Sequence, residues 1–128
     1  MLYRLGEKEL LLLIKAGMLK HGLEPRTIEV VNNRLTGLKQ VNITYTSRAD
    51  SVNKAAWEIG TIIGCFVGVK QQGLDADEVV VEFYNAQGQP AGVFYVKKPW
   101  IDAYMRGEIS MEELGSKTAS TVATLKKK

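Results

Sequence analysis

The central segment of the chain reads DSVNKAAWEIGTIIGCFVGVK from Asp50 to Lys70. Its apolar residues recur at helical spacing, and Asp50 or Ser51 suits the N-cap position. Four small residues follow one another at intervals of four positions: Ala56, Gly60, Gly64 and Gly68. Residues four apart share one helix face, and each glycine inside a helix costs about 1 kcal/mol relative to alanine. We therefore expect this glycine stripe to pack closely against another backbone, within the chain or in a partner.

Strand-like segments lie on both sides of the central helix. Thr27–Val31 and Val41–Tyr45 precede it, and Val79–Tyr84 and Val93–Val96 follow it. These segments are rich in β-branched and aromatic residues, and turn-forming residues separate the members of each pair. The pattern predicts two β-hairpins.

Three further helices are predicted outside the hairpins. Apolar residues at helical spacing predict the first over Glu7–His21, ended by Gly22. Pro99 favours a short helix over Trp100–Arg106. The capping box Ser110-Met-Glu-Glu113 begins a last helix, which we expect to reach Ala123.

The element order is therefore α-β-β-α-β-β-α-α. It predicts an α+β two-layer sandwich, in which an antiparallel sheet of about four strands carries helices on one face. We expect residues 1–125 to form a single domain and Lys126–Lys128 a dispensable basic tail. In element order the chain is similar to small homodimeric adaptor and secretion-chaperone domains, which also place a long helix between two hairpins.

Composition and charge argue against a nucleic-acid partner. The 128 residues are 45% apolar and 24% charged, close to the average of soluble globular proteins. The net charge of +3 comes from 17 basic and 14 acidic residues, and three of the basic ones are the terminal lysines. Aromatic residues on the second hairpin resemble an RNA-binding platform, yet Glu82 lies among them, so we expect cross-strand packing instead: Phe83, Tyr84, Phe94 and Tyr95.

The single cysteine, Cys65, and an amino-terminal segment without signal-peptide character predict a reducing, cytoplasmic setting. The uninterrupted apolar run Ile59–Val69 is shorter than the roughly 20 residues of a transmembrane helix, so no membrane span is expected.

No motif in the chain carries identifiable chemistry. The acidic stretch Asp75–Glu78 lacks the central glycine and the closing glutamate of a calcium loop, so no metal and no cofactor are expected. An enzyme is the least favoured interpretation, and it would have to use His21, Asp102 or Tyr104.

The favoured interpretation is a small, non-catalytic cytoplasmic interaction module that self-associates, most simply as a dimer. Ala56, Trp57 and the three stripe glycines would form the interface, while Trp100 and Tyr104 would offer a docking surface for a protein partner. The alternative is a small-molecule-binding regulatory domain, with a pocket between the sheet and the glycine-striped helix.

Overall fold

The computed structural model describes residues 5–124. Its elements follow one another in the order α1 (Glu7–Lys20), β1 (Glu24–Asn32), β2 (Lys39–Thr46), α2 (Val52–Gln71), β3 (Glu78–Tyr84), β4 (Pro90–Val96), α3 (Lys98–Met105), α4 (Met111–Ala119) and β5 (Ala123–Thr124). This confirms the predicted α+β class and the predicted order up to α4. The tail Lys126–Lys128 lies outside the described residues.

The sheet differs from the predicted one. It has five strands in the order β1-β2-β3-β4-β5, and it is mixed, because β2 and β3 run parallel while the other neighbouring strands are antiparallel. The expectation of about four strands in an antiparallel sheet was therefore wrong. Two neighbouring strands joined by a long helix are typically parallel, since the helix returns the chain to the end where the first strand began.

Hydrogen bonds join the residue before β3 to the first residue of β2, so the parallel pair begins at a defined position. The Asp77 amide donates to the Lys39 carbonyl at 2.8 Å, and the Lys39 amide donates to Asp77 Oδ2 at 2.8 Å. The Lys39 ammonium also pairs with Asp75 at 2.7 Å, and this bond lowers the pKa of the Asp75 carboxyl. The acidic connection after α2 therefore sets the position of β3.

The carboxyl-terminal part was also predicted incorrectly. Helix α4 ends at Ala119 instead of reaching Ala123, and Ala123 pairs with Val93 as part of β5. Thr121 makes the connection: its hydroxyl accepts a 2.8 Å bond from the Tyr95 amide and donates to the Thr118 carbonyl at 2.7 Å. A hydroxyl that bonds local backbone groups competes with helix continuation.

One face of the sheet and the inner sides of the helices share a single apolar core. β2 contributes Val41 and Ile43, β3 contributes Val79 and Val81, and all four are buried. The helices cover this face with eleven core residues: Leu10, Ile14, Met18, Ile59, Ile62, Ile63, Phe66, Val67, Val69, Ile101 and Leu114. The alternating pattern of β2 thus marks the covered face, as expected.

Candidate functional site

Helix α2 positions two of the three surfaces that the sequence suggested as functional, namely the glycine stripe and the pocket. Its N-cap is Ser51, whose hydroxyl accepts a 3.1 Å bond from the Lys54 amide. Its inner side is buried against the sheet, whereas the side that carries the stripe faces away from it.

In the described part of the chain no other element packs closely on the stripe glycines, although Gly60 and Gly68 are half-buried. A β-carbon built on Gly60, Gly64 or Gly68 would meet no atom of another element within 4 Å. Ala56 is exposed, and the neighbouring Trp57 has 48% of its surface accessible. Within the described chain, the glycines therefore do not provide the close helix contact that their spacing suggests. The interface role remains a proposal. We call these five residues the outer face of α2.

The close approach of two helices occurs at a different glycine. A β-carbon on Gly17 of α1 would lie 2.8 Å from Sγ of Cys65 on α2. Burial raises the pKa of the Cys65 thiol. The sequence did not indicate this contact, because one glycine without a spacing pattern gives no packing signal.

A shallow groove lies beside the stripe. Ala56 and Gly60 of α2 face Gly115, Ser116 and Ala119 of α4 across a space of about 390 Å³. Part of the outer face is therefore continuous with a small-residue surface on α4.

A pocket of about 320 Å³ lies on the other side of α2, between its first turns and the sheet. Its walls are mostly apolar and aromatic, with Ala55 and Ile59 on the helix and Phe83 and Phe94 on the strands. This position matches the pocket of the alternative interpretation. The lining comes from the inner side of the helix, so the stripe glycines take no part.

The pocket contains a buried carboxylate, Glu58, which is 3% exposed. Its Oε1 accepts hydrogen bonds from the Tyr45 hydroxyl at 2.9 Å and the Ser47 hydroxyl at 2.6 Å. Its Oε2 accepts a 3.2 Å bond from the Arg48 amide. Burial, followed by the nearby Glu58 carboxylate, raises the pKa of the Tyr45 phenol strongly.

Sequence reasoning missed Glu58, although a signal was present. Glu58 precedes the buried Ile59 and lies four positions before the buried Ile62, so helical spacing places it on the inner side. A charged residue on a buried helix face needs partners, and Tyr45 is the residue on the covered face of β2 that supplies one.

The predicted docking residues lie elsewhere and are partly covered. Trp100 and Tyr104 of α3 are half-buried and pack against the core. The Lys97 ammonium lies 5.3 Å from the centre of the Trp100 ring. α3 therefore does not bring these side chains to the outer face of α2 or to the pocket.

The residues named for an enzyme lie on two different elements: His21 directly follows α1, whereas Asp102 and Tyr104 belong to α3. His21 Nδ1 lies 2.8 Å from the Gly17 carbonyl oxygen at the end of α1. On α3, Asp102 pairs with Lys98 at 2.6 Å. Across residues 5–124, no group of three or more His, Cys, Asp or Glu residues could hold a metal ion.

The fold is that of an α+β domain with a mixed five-stranded sheet. The chain belongs to the family described as domain of unknown function DUF8159, whose model matches residues 14–128. No curated protein matches the chain, and no solved structure does. In the part of the chain that the structure describes, no helix has the length and hydropathy needed to cross a membrane.

Proposed function

We propose that this domain is a small non-catalytic interaction module that self-associates through the outer face of α2. The observation that carries the proposal is that Gly60, Gly64 and Gly68 have open space where side chains would stand. Three glycines cost this helix about 3 kcal/mol relative to alanine. Within residues 5–124 no atom lies where the β-carbons of these glycines would stand, so close approach of a second molecule is the physical reason we infer for them.

The composition of the outer face supports the same proposal. Glu58 is the only charged residue between Lys54 and Lys70, and it is buried on the inner side. A helix face that is exposed to solvent usually carries charged residues. The outer face of α2 carries none, which is typical of a surface that becomes covered. Trp57 lies half-exposed on this face and belongs to a residue type common among binding hot spots.

A two-fold dimer is the simplest arrangement for such a face, because one surface then meets its own copy. Two α2 helices packed across their small residues, Ala56 to Gly68, would approach closely along about three turns. The proposal includes a cytoplasmic setting, which is supported by the single cysteine Cys65.

Light scattering during size-exclusion chromatography tests this proposal. We expect wild-type protein to give twice the chain mass of 14.2 kDa. Gly64→Glu should return the mass to that of one chain, because it adds volume and charge to the interface. Its side chain would point into open space in the monomer, so the fold is retained.

The matched control is Leu35→Glu, which adds the same charge at a side chain that is 97% exposed in the β1–β2 connection. This variant should have the same mass as wild type. A wild-type mass of one chain at every concentration, or a Gly64→Glu variant that stays dimeric, would contradict the proposal.

The pocket favours a second function, a small-molecule-binding regulatory domain. Its volume of about 320 Å³ lies at the lower end of the range of roughly 300–1,000 Å³ for ligand sites. Apolar walls with a few convergent polar groups are the usual composition of such sites. Tyr45, Ser47 and Glu58 are those polar groups here.

A further inference from the structure

We propose that the pocket beneath α2 binds a small organic cation, namely a protonated amine attached to an apolar body. This inference rests on the second proposed function and adds the chemical class of the ligand. It does not depend on self-association, because none of the five residues of the outer face lines the pocket.

The charge of the pocket lining favours a cationic ligand. Glu58 is the only ionisable acid or base among the lining residues apart from the Tyr45 phenol. The ion pairs formed within residues 5–124 do not include Glu58, and the nearby Arg48 guanidinium pairs with Glu24 instead. A buried carboxylate without a cation carries a desolvation cost, and a cationic ligand would reduce it.

The hydrogen bonding of Glu58 leaves room for one more donor. A carboxylate has about four acceptor positions. Here Oε1 accepts from Tyr45 and Ser47, while Oε2 accepts only from the Arg48 amide. All three partners are donors, which is the arrangement around an ionised carboxylate, and Oε2 retains an acceptor position for an ammonium group.

The aromatic wall of the pocket suits a ligand that joins a cation to an apolar body. Tyr45, Phe83 and Phe94 line the pocket in succession, with ring centroids 6.4 Å apart for the first pair and 6.3 Å apart for the second. Aromatic faces attract cations and also bury an apolar body. The partial positive charge at the start of α2 would repel a cation, but this effect is limited to the first turn of the helix. Glu58 lies beyond that turn, so the effect does not oppose a cation bound there. The ammonium group is therefore placed at Glu58, and the apolar body lies against the rings.

The test compares three probes of similar shape and different charge. We would titrate the full chain at neutral pH with 2-phenylethylamine, 2-phenylethanol and 3-phenylpropanoate, and follow backbone amide shifts by NMR. We expect the amine to shift the amides of residues 45–59. It should bind about tenfold more tightly than the alcohol, a difference that corresponds to about 1.4 kcal/mol. The carboxylate should bind least.

Variants assign the preference to one side chain. Glu58→Gln should remove the difference between amine and alcohol, whereas Glu82→Gln, an exposed site on the uncovered sheet face, should leave it intact. Ala55→Phe should fill the pocket and abolish binding of every probe. Because the three probes are compared on wild-type protein, the test still shows whether the pocket prefers a cation if Glu58→Gln fails to fold.

Two results would overturn the inference, and they are distinguishable. If amine and alcohol bind this pocket equally well, the second proposed function stands but the cationic ligand class is wrong. If no probe shifts the amides of residues 45–59 at millimolar concentration, the pocket is not a ligand site, and Glu58 serves only to hold the β2–α2 connection.

Discussion

The ring of Phe83 occupies the space where a side chain on Gly92 would stand. The two residues are partners across β3 and β4, and a β-carbon on Gly92 would also lie 2.7 Å from the carbonyl oxygen of Ala123 in β5. Phe83 is one wall of the pocket beneath α2. Gly92 therefore lets one aromatic wall lie flat on the sheet and lets β5 pair at its edge.

We predict that Gly92→Ala destabilises the protein by about 1–3 kcal/mol, the usual cost of overpacking. The backbone oxygen of Ala123 cannot move without breaking the β4–β5 pairing, so relaxation is limited. Urea denaturation measures the free energy of unfolding. Gly115→Ala on α4 is the matched control, because a β-carbon there meets nothing within 4 Å. This substitution should stabilise the protein by about 1 kcal/mol, since alanine is the better helix former. Equal stability of the two variants would contradict the crowding at Gly92.

A second prediction concerns the contact that fixes the parallel strand pair. Asp77→Ala removes the acceptor of the Lys39 amide, so we expect a loss of about 1–3 kcal/mol in the free energy of unfolding. Asp75→Ala removes only the exposed ion pair with the Lys39 ammonium. Exposed pairs contribute little, so this control should unfold close to wild type. A larger loss for Asp75→Ala than for Asp77→Ala would be the opposite of what the hydrogen bonds indicate.

A third prediction concerns pH. The pKa of the Tyr45 phenol is raised from its ordinary value of 10.0 in the folded protein, so the folded state holds this proton more tightly than the unfolded state. Stability from this group is fully present below pH 10 and falls as the pH rises above 10. The slope is about 1.4 kcal/mol per pH unit for one proton.

The absorbance of tyrosinate near 295 nm checks this prediction. Of the five tyrosines in the chain, Tyr45 should ionise only when the protein unfolds, so its step should coincide with the loss of far-UV circular dichroism. Tyr45→Phe should lack that step, and its stability should fall less steeply above pH 10. Ionisation of all five tyrosines in the folded protein would exclude a buried Tyr45–Glu58 pair.

Local features of the fold could be predicted from the sequence, but the pairing of distant strands could not. The N-cap Ser51, the capping box at Ser110 and the alternation over Val41–Tyr45 depend on neighbouring residues, and the structure has each in place. The parallel β2–β3 pair brings together distant residues, such as Lys39 and Asp77, which are 38 positions apart. No local pattern encodes such a contact.

The candidate site also has one part that local spacing predicts and one part that depends on residues distant in the sequence. Spacing along α2 identified the outer face, because helical periodicity is a local property. The pocket at Glu58 needs Tyr45 and Ser47 of one strand end together with Phe94 of another strand. Its general location could be proposed from the layering of helix on sheet, whereas its carboxylate and aromatic walls required the three-dimensional structure.

The last prediction concerns the close approach of α1 and α2. Gly17→Ala would place a β-carbon 2.8 Å from Cys65 Sγ but at an ordinary 3.7 Å from its Cβ. The crowding therefore comes from the sulfur alone, and Cys65→Ala should remove it. We expect Gly17→Ala to lower the free energy of unfolding in the wild-type background. In the Cys65→Ala background the same change should be neutral or stabilising, because alanine is the better helix former. A double-mutant cycle by urea denaturation should give a coupling of about 0.5 kcal/mol or more, the lower limit for residues in contact. Additive effects of the two substitutions would show that the helices do not meet at this pair.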